Sequence, residues 1–169
     1  MSYIAVASPF GTLTVFAAAD ALVAVEWGRG PDQGEDDAPL LLEARRQLEA
    51  YFDGELRQFT LPLRPAGTAF QQRAWARLAA IPYGTCASYG ELAHDLGTGP
   101  RALANACASN RLPILIPCHR VIGARGTMGG YSGGDGINTK RALLRLEGAW
   151  TDGPAPHPAS LAAIGEERS

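Results

Sequence analysis

A thiol, an imidazole and a guanidinium follow one another at Cys118, His119 and Arg120, directly after the apolar run Ile114-Leu115-Ile116 and Pro117. A thiolate is a far better nucleophile than a thiol, and nearby cations favour it. His119 can take a proton and Arg120 adds positive charge, so Cys118 is a candidate activated nucleophile. The competing reading is structural, because free cysteine is usually a small buried hydrophobe. Adjacent side chains usually diverge, so a water relay from Cys118 to His119 suits the spacing better than a direct pair. Glu147 ends the last helix-forming segment, where the helix dipole disfavours a carboxylate. That local cost calls for a partner, and His119 is a candidate. Glu147 would then orient the imidazole as the third member of a triad does.

The elements that must position these groups fall into two parts. The first 27 residues read as a β-meander, with short β-prone runs at Ile4 and Val6, Leu13 and Val15, and Leu22 to Trp27. Gly28 to Pro39 reads as a mobile loop. Leu40 to Phe52 has helical periodicity, with Leu41, Ala44, Leu48 and Phe52 near one face and Gly54 as a stop. Glu55 to Gly67 reads as extended strand and linker.

A second part starts at Thr68. Thr68 to Gln71 fits a capping box, and Phe70, Ala74, Leu78 and Ile81 space as one helical face. Ser88 to Glu91 is a second capping box, followed by Leu92, Ala93 and Leu96. After the turn Gly97 to Gly99, Pro100 suits the first position of a helix running to about Asn110. Two short helices joined by a brief glycine turn suggest a helix-turn-helix, with an ordinary αα-hairpin as the commoner alternative. The second of them is alanine-rich, at positions 102, 104, 106 and 108, and carries few of the side chains that reach base edges. Such a helix suits close approach to a shallow surface or narrow groove. A glycine-rich loop from Gly123 to Gly136 carries Tyr131 and Ser132. It lacks Gly-Lys-Ser/Thr, which excludes a P-loop. Asn138 is expected to cap a final helix through Glu147, with Gly148 as its stop.

Composition narrows the class further. At 169 residues, with 46% hydrophobic and 19% charged content, the chain fits a soluble globular protein. No apolar run reaches bilayer length, and the N-terminus lacks the pattern of a signal peptide, so the expected setting is cytoplasmic. Residues 1–69 carry 5 Arg against 10 acidic residues, a net −5, while residues 70–148 carry 8 Arg and 1 Lys against 4, a net +5. A basic segment behind an acidic one is compatible with phosphate binding by the second part. Cys86, Cys107 and Cys118 are 21 and 11 positions apart, and His94 and His157 are isolated, so no metal site is expected. A papain-like arrangement also fails, because the only distant downstream histidine is His157 in the tail.

The run Pro117-Cys118-His119-Arg120-Val121, with Asn110 before it and Gly130-Tyr131 and Leu143-Leu144…Glu147-Gly148 after it, resembles the O6-alkylguanine-DNA alkyltransferases. The resemblance is strong from Phe70 to Gly148, and the meander and first helix look like that family's more variable first domain. It implies an α+β chain: a ribonuclease-H-like domain at 1–67, a DNA-binding and alkyl-acceptor domain with a winged-helix-like helix-turn-helix at 68–150, and a flexible tail at 151–169. It implies minor-groove binding of double-stranded DNA, extrusion of O6-alkylguanine and irreversible transfer of the alkyl group to Cys118. O4-alkylthymine is a further candidate substrate. Base flipping is needed because the target atom is out of reach in the stack.

By the same resemblance His119 deprotonates Cys118 through a water and Glu147 orients His119. Asn110 braces the turn after the recognition helix, and Tyr131 protonates the leaving purine. Ser132 contacts the O6 region, and the carbonyls of Cys118 and Val121 accept from the exocyclic amine. Arg101 fills the vacated stack and Tyr89 helps rotate the 3′ phosphate. Ser88 and Arg111 add phosphate contacts, and Ala102 lies on the close-approach helix. No metal or organic cofactor is implied, and a monomer is expected. The rival reading is an alkyltransferase-like lesion sensor; such proteins replace the acceptor cysteine, which is present here as Cys118.

Overall fold

The structure, a computed structural model, describes residues 1–30, 36–123, 127–151 and 158. Residues 31–35 of the expected mobile loop and most of the tail lie outside the described residues.

The chain divides into two units, one comprising 1–66 with 111–113, the other 67–110 with 114–169. In the first unit, β1 (Ser2–Ser8), β2 (Gly11–Ala18) and β3 (Ala21–Trp27) form an antiparallel meander in that order. Ile4 pairs with Val15 and Val6 with Leu13, and all four are buried. In β1 these buried residues flank the half-buried Ala5, as a sheet with one covered face requires, whereas in β2 Thr14 between Leu13 and Val15 is buried too, its hydroxyl donating to the Gly28 carbonyl at 2.9 Å. The cover is α1 (Pro39–Phe52), which packs on β1 and β2. Its buried face is Leu41, Ala44, Gln47, Leu48 and Tyr51. Tyr51 takes the place expected for Phe52, which is half-buried with its ring edge-on to Phe10. Gln47 tolerates burial because its amide bonds both Thr60 and Glu43. The expected strand in 55–67 reduces to one parallel bridge, Leu63 to Leu22. Residues 111–113 return to this unit through Arg111, whose carbonyl accepts from the Val25 N–H at 2.8 Å.

The second unit opens on α2 (Ala69–Ala79), and the predicted capping box at Thr68 and Gln71 is complete. Ala74, Trp75 and Leu78 face its core, and the Trp75 indole donates to the Ala106 carbonyl at 2.9 Å. Next come β4 (Ala87–Ser88), α3 (Tyr89–Asp95) and α4 (Pro100–Ala108), with α3 and α4 packed together. At Ser88 only half of the expected capping box forms: its hydroxyl accepts from the Glu91 N–H. α4 starts at Pro100 as expected and ends at Ala108, two residues before Asn110. A single 3-10 turn spans Cys118–Arg120 and leads into β5 (Val121–Ile122), which pairs in parallel with β4.

The last helix, α5 (Ile137–Leu146), differs from expectation at its start. Gly136, at φ 62°, is the N-cap and no side chain caps it; Asn138 lies inside the first turn and is exposed. A glycine serves there because a left-handed φ costs it little. The fold class is α+β, a small antiparallel sheet with a helix followed by a mainly helical unit. Among the described residues no helix is long and apolar enough to cross a membrane.

Candidate active site

The apolar run Leu112 to Pro117 is buried throughout and delivers Cys118 to a cavity. Ile114 adopts φ 73°, a left-handed conformation that a β-branched residue rarely takes. Such strain persists only where the surroundings over-determine it. Asn110 supplies part of that constraint, since its Nδ2 donates to the Ile116 carbonyl at 2.8 Å. The same Nδ2 lies 3.3 Å from Cys118 Sγ. The sequence suggested a brace at Asn110; contact with the thiol itself was not anticipated.

Cys118 is 7% exposed. Burial pushes its thiol pKa up, and the Asn110 hydrogen bond and the Lys140 charge pull against burial. The resting thiol is therefore protonated at neutral pH and needs a base. His119 is fully buried, and its Nε2 lies 2.7 Å from Glu147 Oε2. A carboxylate at that distance fixes the tautomer, because it can only accept. Nε2 then carries the proton and Nδ1 carries the lone pair. Nδ1 is buried and has no hydrogen-bond partner among the described residues. Burial lowers the His119 pKa, Glu147 opposes this, and the Arg120 and Lys140 charges lower it further. The imidazole is neutral at pH 7, as a proton acceptor must be.

Glu147 is the C-cap of α5, where the sequence argument required a partner. It has two. Arg120 grips the carboxylate in a fork, Nε to Oε1 at 2.8 Å and Nη2 to Oε2 at 3.0 Å. Its remaining Nη1 donates to the Ile81 carbonyl at 2.6 Å, and the guanidinium lies 5.7 Å from the centre of the Tyr83 ring. Bidentate arginine–carboxylate pairs are among the strongest charge-assisted hydrogen bonds. In sequence Arg120 only adds positive charge next to the thiol. The geometry corrects this: Arg120 acts on Glu147, and the cation that pulls on Cys118 is Lys140.

Lys140 escaped the sequence reading. It is fully buried on α5. Its ammonium donates to the Val121 carbonyl at 2.6 Å and the Gly130 carbonyl at 3.3 Å, and sits 5.6 Å from the Tyr89 ring centre. Burial lowers its pKa to about 8, against the raising effect of the cysteines. Gly129, at φ 77°, closes over this group; a Cβ there would lie 2.8 Å from the Tyr89 ring. Lys140→Met should strand the Val121 carbonyl and destabilise the protein by about 1–3 kcal/mol, read as a lower denaturation midpoint. The same variant should shift iodoacetamide labelling of Cys118 to higher pH.

A cavity of about 620 Å³ adjoins Cys118 and is lined by Tyr89, Arg101, Cys107, Tyr131 and Ser132 among others. Burial holds both phenols in their protonated form, Tyr131 well above the usual phenol range. Arg101 and Ala104 are exposed at the rim on α4, and Ala102 is half-buried beside them. Val121 is buried, with its carbonyl already accepting from Lys140. Ser88 and Arg111 stand apart from this group. The Ser88 hydroxyl is buried as the cap of α3, and Arg111 belongs to the first unit, where its Nε donates to the Ala66 carbonyl at 2.8 Å. Among the described residues no group of three or more metal-ligating side chains converges.

Residues 69–149 match the family model described as 6-O-methylguanine DNA methyltransferase, DNA binding domain, and residues 1–65 match its ribonuclease-like domain. The chain belongs to the 6-O-methylguanine DNA methyltransferase family. It is 41% identical over 157 residues to the methylated-DNA–protein-cysteine methyltransferase of Methanosarcina acetivorans, covering 88% of this chain and 99% of that one. A Mycobacterium tuberculosis protein of the same name is 53% identical over 103 residues, 60% of this chain and 61% of that one. The crystal structure of Mycobacterium tuberculosis OGT in complex with DNA superposes with a TM-score of 0.78 at 42% identity, covering 92% of this chain and 96% of that one.

Proposed function

We propose that this protein repairs DNA by direct reversal, moving the alkyl group of O6-alkylguanine irreversibly onto its own Cys118. The observation that carries the reading is the buried Glu147–His119 pair next to Cys118, whose thiol lines the cavity. His119 Nδ1 accepts the Cys118 proton through one water. The thiolate sulfur attacks the alkyl carbon in line, the carbon–O6 bond breaks, and its electron pair returns to the purine. Tyr131 donates its phenolic proton to the departing base, so that guanine leaves neutral. Tyr89 lines the same cavity, so Tyr89→Phe and Tyr131→Phe together assign the donor. The thioether is not reversed, and each molecule acts once, without a cofactor.

The DNA partner is a duplex approached from the minor groove by α4, with Ala102, Ala104 and Ala108 allowing close approach. Arg101 enters the stack where the base has left, and Tyr89 turns the 3′ phosphate. Ser132 reaches the O6 region, and the second lone pairs of the Cys118 and Val121 carbonyls accept from the exocyclic amine. For Ser88 and Arg111, phosphate contact would require their present hydrogen bonds to be shared. The three unpaired thiols suit a reducing cytoplasm.

Incubation with a duplex carrying O6-methylguanine, followed by intact mass, tests the reading. A single methyl localised to Cys118, in one stoichiometric turn, is expected. Binding without a mass gain would instead establish the lesion-sensor reading. Arg101→Ala should slow repair in duplex DNA by about 10-fold or more, the scale of losing one interaction of about 1.4 kcal/mol. Its effect on free O6-benzylguanine should be small. Equal loss on both substrates would remove Arg101 from the flipping step.

A further inference from the structure

We propose that Cys107 is a second nucleophile of the reaction cavity, one that captures the free end of a two-ended alkyl group once its first end is on Cys118. The inference rests on the alkyl-transfer reading above. Positions 104, 107 and 108 share one face of α4, and that face lines the cavity together with Cys118. Both thiols are unpaired. Asn110 ties them together: its backbone N–H donates to the Cys107 carbonyl at 3.2 Å, and its side chain lies 3.3 Å from Cys118 Sγ. The third thiol, Cys86, is different. It is buried in a core cluster with Ile122, Leu144 and Trp150, away from the cavity lining.

The two cavity thiols differ in support, which sets the order of events. Burial pushes the Cys107 thiol up to about 12, and a charge on Cys118 adds to that. Cys107 is therefore a neutral thiol while Cys118 carries out the first displacement. Of the two, Cys118 is the one that adjoins His119 in the chain, and His119 is paired with Glu147. Once Cys118 is a thioether it can no longer carry that charge.

For a 2-chloroethyl lesion the steps balance without any further reagent. Cys118 takes the group as S–CH2–CH2–Cl, and guanine leaves. The thioether sulfur displaces chloride and closes a three-membered episulfonium ring. Cys107 sulfur attacks a ring carbon, the carbon–sulfonium bond opens, and its electron pair returns to Cys118. The Cys107 thiol proton passes to water. The product is Cys118–S–CH2–CH2–S–Cys107, with chloride and a proton released. An episulfonium is electrophilic enough for a neutral thiol, and confinement in one cavity raises the effective concentration of that thiol. Capture by Cys107 competes with water and with nucleophilic nitrogens of the bound DNA.

The test uses the full chain and a duplex bearing O6-(2-chloroethyl)guanine, freed of the chloroethylating reagent. Intact mass should rise by one C2H2 unit, the ethylene bridge less two thiol hydrogens. Trypsin cuts after Arg101, Arg111 and Arg120, so the bridge should join peptide 102–111 to peptide 112–120. Cys107→Ser should give a hydroxyethyl or chloroethyl group on Cys118 and no joined peptides. A single-ended adduct on Cys118 of the native chain would overturn the proposal, as would a cross-link to DNA. A parallel O6-methylguanine duplex separates the two levels of the argument. Methyl transfer without the bridge sinks only the capture step, whereas loss of both sinks the alkyl-transfer reading as well.

Discussion

Glu147→Ala is expected to lower folding stability by about 3–5 kcal/mol, because it leaves a buried guanidinium and a buried imidazole without their shared partner. Both partners are buried and bonded to the same carboxylate. The same substitution frees the His119 tautomer, and alkyl transfer should fall by about 10²–10⁴-fold, the range of losing an oriented base. Burial works to raise the Glu147 pKa, but His119 and Arg120 outweigh it and hold the carboxyl well below the usual range. A folded pKa below the unfolded one stabilises the protein above the unfolded carboxylate value of about 4.3. That stability is lost as pH falls through the folded value. Glu147→Gln keeps an oxygen for the His119 N–H and removes the charge, so it should retain more activity than Glu147→Ala while losing the acid-side dependence of stability. Denaturation midpoints across pH 3–7 and single-turnover rates check both parts. A native midpoint in Glu147→Ala would remove the carboxylate from its structural role.

What could be read in advance follows from where the signals are local. The meander was legible because Ile4, Val6, Leu13 and Val15 alternate with small or polar residues in short β-prone runs, and the start of α2 because Thr68 and Gln71 cap it reciprocally. Cys118, His119 and Glu147 were legible because each violates a local preference: a thiol among cations, a carboxylate at a helix C-terminus. The roles of Arg120 and Lys140 were not, because beside the thiol Arg120 reads only as added positive charge and Lys140 looks like a solvated surface charge. Only the fold brings Arg120 to the end of α5, and only the parallel β4–β5 pairing sets Val121 where Lys140 can bond its carbonyl. The strain at Ile114 was equally hidden, since nothing in Pro113-Ile114-Leu115 announces a left-handed residue. Long-range ion pairs and tertiary strain leave no periodic trace.

Arg120→Met should move the acid limb of the alkyl-transfer rate to higher pH. The base must be neutral, so the rate falls as pH drops through the His119 pKa. In the native chain that pKa is lowered, first by burial and then against the pull of Glu147 by the charges of Arg120 and Lys140. The native rate should therefore stay level from pH 8 to below the ordinary imidazole range of about 6.5. Removing the guanidinium removes one lowering charge and leaves Glu147 to act on His119 alone. Both changes raise the His119 pKa. Below it the rate should drop by about tenfold per pH unit, since only the neutral fraction reacts. Arg120→Lys restores the charge without the fork, so it should recover the native limb while losing part of the stability. Arg120 thus sets the His119 pKa by its charge and holds Glu147 by its fork, without touching the reacting atoms. A purely structural role would lower the rate at every pH and leave the limb in place. Single-turnover rates from pH 5 to 8 on an O6-methylguanine duplex, for the native chain and both variants, distinguish the two.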